Sequence, residues 1–156
     1  MSSPVILGPV GPSWGGANPI YSGGPVNQEQ AFPALTPSQI DRIRPFGRIR
    51  QTTVGEILFE PGDVTARFFV VLSGALEIVQ PTLQGERLIV THQAGSFTGE
   101  MTMISGRGSL ARGRVTAAGE FLELSPEALR TLVARDEELS GILMRAYFLR
   151  RVLLIS

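Results

Sequence analysis

The chain has 156 residues, 43% of them hydrophobic and 18% charged, with 14 basic and 14 acidic side chains, no cysteine and one histidine. That length carries one domain with its own core. The missing cysteines exclude disulfides, thiolate metal sites and cysteine nucleophiles, and a lone histidine excludes a histidine metal cluster.

Residues 1–34 hold most of the Pro/Gly punctuation, including Gly8-Pro9, Gly11-Pro12 and Gly23-Gly24-Pro25. No period survives there, so the stretch reads as a flexible arm, with Trp14 and Tyr21 as the side chains able to dock on a neighbour. Residues 35–156 then form the domain. Thr36 and Gln39 make a T-x-x-Q capping box with Pro37 at the first helical position, and Arg44-Pro45 ends the helix, which is expected over 37–44. From Phe46 to Leu124 the pattern is β. Strands are expected over 48–54, 57–59, 68–72, 76–79, 87–92, 113–117 and 121–124, broken by Gly-rich turns such as Glu60-Pro61-Gly62-Asp63 and Ser73-Gly74.

Two helices close the chain. Ser125 caps the first, with Pro126 at its first position and Leu124 placed to staple to Leu129. Asp136 caps the second, about 137–155, where Glu137 and Glu138 suit the positive end of the dipole. That helix carries two apolar stripes. One is Leu139, Ile142, Leu143, Ala146, Tyr147 and Leu154; the other is Met144, Phe148, Val152 and Ile155. A monomer's surface helix normally needs one stripe, so residues 139–155 are expected to pair with a second copy of the chain or to dock on another domain.

This order and three motifs resemble the cyclic nucleotide-binding domain family. The motifs are Glu60-Pro61-Gly62-Asp63, the apolar run Phe69-Val70-Val71-Leu72-Ser73-Gly74, and Gly95-Ser96-Phe97-Thr98-Gly99-Glu100, which is similar to the entrance of the family's phosphate-binding cassette. The resemblance covers about residues 36–156. It implies a mainly β fold with flanking α, a double-stranded β-helix (a jelly-roll-like β-roll) with a short N-terminal helix and two C-terminal helices. The run Arg145–Val152 is further similar to the last helix of such domains fused ahead of bacterial thioredoxin-reductase-like flavoproteins. With no flavin fingerprint present, the chain is then expected to be a regulatory portion of a larger protein.

The implied cassette runs from Phe97 to Ala111, and its ligand-binding set is Phe97, Gly99, Glu100, Met101, Arg107, Ser109, Leu110, Ala111 and Arg112. Gly99 permits close backbone approach, Glu100 accepts from a ribose hydroxyl, and a short helix from Gly99 to Ser105 points its free N–H groups at an anion. Gly106 is placed to end that helix in the left-handed region. The alternative for Glu100 is an ordinary first-turn acid. One position departs from the family: Ser109 stands where the cassette has the arginine that pairs with the phosphate. Such a charge-assisted contact contributes roughly 1.5–3 kcal/mol, about one to two orders of magnitude in affinity. Arg112, beside the cassette's end, is the expected substitute, with Arg107 as its neighbour. The alternative is that Arg107, Arg112 and Arg114 are solvated strand-edge residues.

Other signals carry less. Gly11-Pro12-Ser13-Trp14-Gly15 matches a nucleophile elbow but lacks the strand and helix that motif needs. Gly106-Arg107-Gly108 lacks both a preceding βαβ unit and a P-loop lysine. His92 reads as a strand residue near the Gly95 turn. The zero net charge offers no field to draw in nucleic acid or a membrane surface, and no apolar run nears the roughly 20 residues a bilayer span needs. With no basic residue before Arg42 a secretory signal is not expected, so the expected setting is cytoplasmic. The expectation is a non-enzymatic regulatory module with no cofactor. It senses cAMP, cGMP or a related small anionic ligand and controls an attached or partner oxidoreductase. The alternative is a degenerate module used for dimerisation or docking. The chain ends at Ser156 with no helix-turn-helix after the last helix, so DNA reading by this chain alone is not expected.

Overall fold

The computed structural model describes residues 28–65 and 67–155. In chain order it contains α1 (Gln28–Ala31), α2 (Pro37–Ile43), a 3-10 turn (Arg44–Phe46), β1 (Arg48–Gln51), β2 (Ile57–Phe59), β3 (Phe68–Val71), β4 (Ala75–Thr82), β5 (Gly85–His92), β6 (Phe97–Thr98), α3 (Glu100–Ser105), β7 (Arg112–Ala117), β8 (Glu120–Leu124), α4 (Pro126–Arg135) and α5 (Glu137–Ile155). The strands form two antiparallel four-stranded sheets in the orders β1-β8-β3-β6 and β2-β7-β4-β5. That is the strand order of a jelly roll, the expected fold class.

Local chemistry sets the helix starts as the sequence predicts. Gln39 N donates to Thr36 Oγ1 at 3.1 Å, and Thr36 N donates to Gln39 Oε1 at 2.9 Å. Ala128 N donates to Ser125 Oγ at 3.1 Å, and Leu139 N to Asp136 Oδ1 at 3.1 Å. Leu124 and Leu129 lie together in the core. α2 stops at Ile43, and Pro45 is absorbed in the 3-10 turn that follows.

β3 explains why its sequence is apolar at every position. Phe69 and Val71 point between the sheets, against Phe59, Leu76, Ile78, Val115 and Phe121. Phe68 and Val70 point the other way, into a second cluster with Leu122 of β8 and with Leu129, Leu132, Leu139, Leu143 and Ala146 from the helices. A strand buried on both faces needs no polar alternation. The same packing places α5 across the mouth of the roll.

Three expectations are corrected. Residues 28–34 are not a free arm: α1 packs on α5, and Ala31 and Leu35 are buried. Four residues of α1 are too few to show a helical period, so the boundary was invisible in the sequence. β1 ends at Gln51 rather than Val54, and the two-residue β6 was not anticipated as a strand. The expectations for Trp14, Tyr21 and the Gly11–Gly15 pattern lie outside the described residues.

Candidate functional site

The cassette is built on two glycines in left-handed conformations, and at the first a side chain has no room. Gly99 has φ +106°, and a Cβ there would sit 2.2 Å from the Arg67 carbonyl oxygen. The chain therefore passes directly over the start of β3 before α3 begins. Gly106 ends α3 at φ +71°, its N–H donating to Thr102 O at 2.9 Å, as its sequence position predicts. The Glu60–Asp63 turn then pins the far end of the cassette. Gly62 N donates to Ser109 O at 2.8 Å, and Ser109 N donates to Asp63 O at 3.0 Å.

Between the cassette, the inner faces of β4 and β5 and the last turns of α5 lies a cavity of about 220 Å³. Seven of the nine expected residues line it: Gly99, Glu100, Met101, Arg107, Ser109, Leu110 and Ala111. Phe97 lies beneath, fully buried, its ring 5.8 Å from that of Phe68. Arg112 is elsewhere. Its Nε donates to Glu60 Oε1 at 2.7 Å and its Nη1 to Glu86 Oε2 at 2.7 Å. Strand alternation is the reason: Gly113 and Val115 take the buried face of β7, so Arg112 and Arg114 take the other. Arg112 therefore does not supply the missing cation. Ser109 is neutral, and its hydroxyl is already engaged, accepting from Ala111 N at 3.2 Å and donating to Ala111 O at 2.7 Å.

A buried arginine that sequence reasoning passed over lines the cavity. Arg150 on α5 is 4% exposed and Glu100 1% exposed, and Arg150 Nη1 donates to Glu100 Oε1 at 2.8 Å. Nη1 also donates to Phe97 O at 3.0 Å, and Nε to Ala31 O at 2.7 Å. The guanidinium carbon lies 4.5 Å from the Phe97 ring centroid and 4.9 Å from that of Phe32, within cation–π range of both. Burial pushes the Arg150 pKa down, and the Glu100 carboxylate opposes that shift. A signal for Arg150 was present: Leu139, Leu143, Ala146 and position 150 follow steps of four, three and four, so they share one helix face.

His92 lines the same cavity from the end of β5, buried, with its ring centroid 6.0 Å from that of Phe32. Burial, reinforced by the Arg150 charge, pulls its pKa down to about 3, so the imidazole is neutral at physiological pH. Among the described residues, His92 Nδ1 and Arg150 Nη2 are the buried side-chain polar atoms without a hydrogen-bond partner. The charged side chains lining the cavity are Glu100, Arg107, Arg150 and Arg151. Three guanidinium groups against one carboxylate make the site favour an anion. Among the described residues, no cluster of histidine, aspartate and glutamate fit to hold a metal ion is present, and no helix is long and apolar enough to cross a membrane.

Comparison with known proteins agrees with this geometry. A model of the cyclic nucleotide-binding domain matches residues 49–136. The chain is similar to the catabolite activator protein of Thermus thermophilus, with 25% identity and a TM-score of 0.64 over 79% of this chain and 58% of that one. It is similar to a structure from work on a cyclic-GMP-dependent signalling pathway that regulates bacterial phytopathogenesis, with 26% identity and a TM-score of 0.64 over 76% of this chain and 96% of that one. The regulatory domain of Toxoplasma gondii PKA, solved with cAMP, shares the fold at 17% identity and a TM-score of 0.56, over 66% of this chain and 40% of that one. No curated protein sequence matches the chain. With its jelly roll, its cassette and a family model covering more than half its length, the chain belongs to the cyclic nucleotide-binding domain family.

Proposed function

We propose that this chain is a regulatory module that takes a cyclic nucleotide, or a closely related small anion, into the cavity between its cassette and α5 and performs no chemistry on it. One observation carries the reading: residues of the 99–111 cassette enclose a cavity whose charged lining is one carboxylate and three guanidinium groups. Glu100 is the acceptor for a sugar hydroxyl, and the apolar lining from Ile78, Ile89 and Leu154 suits a flat base. Glu100 begins α3 and Arg150 lies on α5, so a ligand that touches this pair changes the contact between the two helices. Differential contacts of that kind are what a binding signal needs. The run 145–152 makes an attached or partner oxidoreductase the candidate recipient of that signal.

The test is calorimetry and thermal unfolding of the full chain with cAMP, cGMP and 5′-AMP. A cyclic nucleotide at 100 times its Kd stabilises the native state by about 2.7 kcal/mol, which raises Tm by several degrees. No shift with any of the three overturns the proposal. A second reading, self-association through α5, is favoured by the exposure of Met144 (38%) and Phe148 (45%) on that helix. Sedimentation of Phe148→Glu against the parent decides it: a dimer that becomes a monomer supports it, and a parent that is already monomeric removes it.

A further inference from the structure

We infer that the phosphate of the ligand is held by Arg150 on the last helix, in the role that Ser109 leaves empty in the cassette. This rests on the reading of the cavity as a cyclic nucleotide site.

The donor count of Arg150 comes first. A guanidinium has five N–H donors. Nε gives one to Ala31 O, and Nη1 gives its two to Phe97 O and Glu100 Oε1. The two N–H groups of Nη2 have no partner among the described residues, although the side chain is buried. Leaving buried donors unpaired is costly, so such groups mark a place for an acceptor that arrives from outside. The unpartnered Nδ1 of His92 lines the same cavity.

The spacing of Glu100 and Arg150 is the second argument. In a nucleoside cyclic monophosphate, the ribose hydroxyl and the phosphate are carried on neighbouring carbons of one ring. A reader of both needs an acceptor and a cation side by side. Glu100 and Arg150 are in contact at 2.8 Å and both line the cavity. The first accepts a hydrogen bond from the hydroxyl, and the second presents two N–H groups to the phosphate oxygens. Arg112 is excluded by its pairs with Glu60 and Glu86.

The third argument concerns access. The Phe32 ring covers the guanidinium at 4.9 Å and is itself half-buried at the end of α1. The phosphate reaches Nη2 when this ring turns aside. Ligand entry is then felt by α1 as well as by α3 and α5.

The experiment compares the full chain with Arg150→Gln and Arg150→Lys by calorimetry, using cAMP and cGMP and, as uncharged controls, adenosine and guanosine. Expected for the parent is a cyclic nucleotide bound more tightly than its nucleoside. Arg150→Gln should lose about tenfold to hundredfold of that preference, the worth of a charge-assisted hydrogen bond. Nucleoside affinity, measured in the same variants, is the reference that removes any general damage to the cavity, and Arg150→Lys should restore part of the preference. Should Arg150→Gln fail to fold, the Nε–Hε resonance of Arg150 in the parent provides the readout: it should move with cAMP or cGMP and stay in place with the nucleosides. A parent that prefers cyclic nucleotides while Arg150→Gln keeps that preference, or while the resonance does not move, overturns this inference and leaves the proposed function intact. A parent that binds none of the four compounds overturns both.

Discussion

His92 offers a test of the cavity's interior that needs no ligand. Its pKa stands at about 3 in the folded chain against 6.5 for an unperturbed imidazole, because burial and then the nearby Arg150 charge both disfavour the imidazolium. The unfolded chain therefore binds a proton below pH 6.5 that the folded chain refuses until about pH 3. Stability from this group is fully present above pH 6.5 and is lost as pH falls toward 3, at 1.36 kcal/mol per unit. Between pH 7.5 and 4.5 the loss is about 3 kcal/mol. Glu56, Glu86 and Asp136, whose pKa values are lowered, also lose stability in acid. A direct pH profile therefore mixes four groups, whereas the difference between the parent and His92→Gln isolates one. Urea unfolding followed by circular dichroism at both pH values measures it. The gap between parent and variant should change by about 3 kcal/mol in favour of the variant on acidification, or roughly 1–3 M in midpoint for a typical urea slope. A gap that stays constant to within about 0.5 kcal/mol would refute the claim that His92 is buried and neutral beside Arg150.

Glu100→Gln leaves the buried Arg150 guanidinium without its counter-charge and should cost about 3 kcal/mol or more in urea unfolding, with Arg150→Met added in the same chain recovering part of the loss. Gly99→Ala adds a Cβ 2.2 Å from the Arg67 carbonyl oxygen at a φ of +106°, so the start of β3 must shift. A destabilisation of about 3 kcal/mol or more is expected, and a native Tm would show that the crossing over β3 is not tight.

Much of this protein is written locally. A cap such as Thr36 or Ser125 needs only its own three following residues, so helix starts are legible from spacing. The cassette's place was legible through the resemblance of Gly95–Glu100 to a family motif, and Gly99 and Gly106 fit the backbone conformations it needs. The apolar run of β3 signalled a strand, and three motifs in order, with the flanking helices, carried the fold class by resemblance.

What the linear order does not carry is which distant side chains meet. Position 112 looked like the source of the missing positive charge because it adjoins the cassette in sequence, yet β-strand alternation turns it toward Glu60 and Glu86. Arg150 lies 50 residues from Glu100 and 119 from Ala31 along the chain, and only the folding of α5 over the roll brings the three together. α1 was equally hidden, since four residues have no stable helix of their own and hold their shape by packing on α5. Secondary structure here follows from neighbours in sequence, whereas the charge of the cavity follows from neighbours in space, set when the apolar face of the last helix was buried.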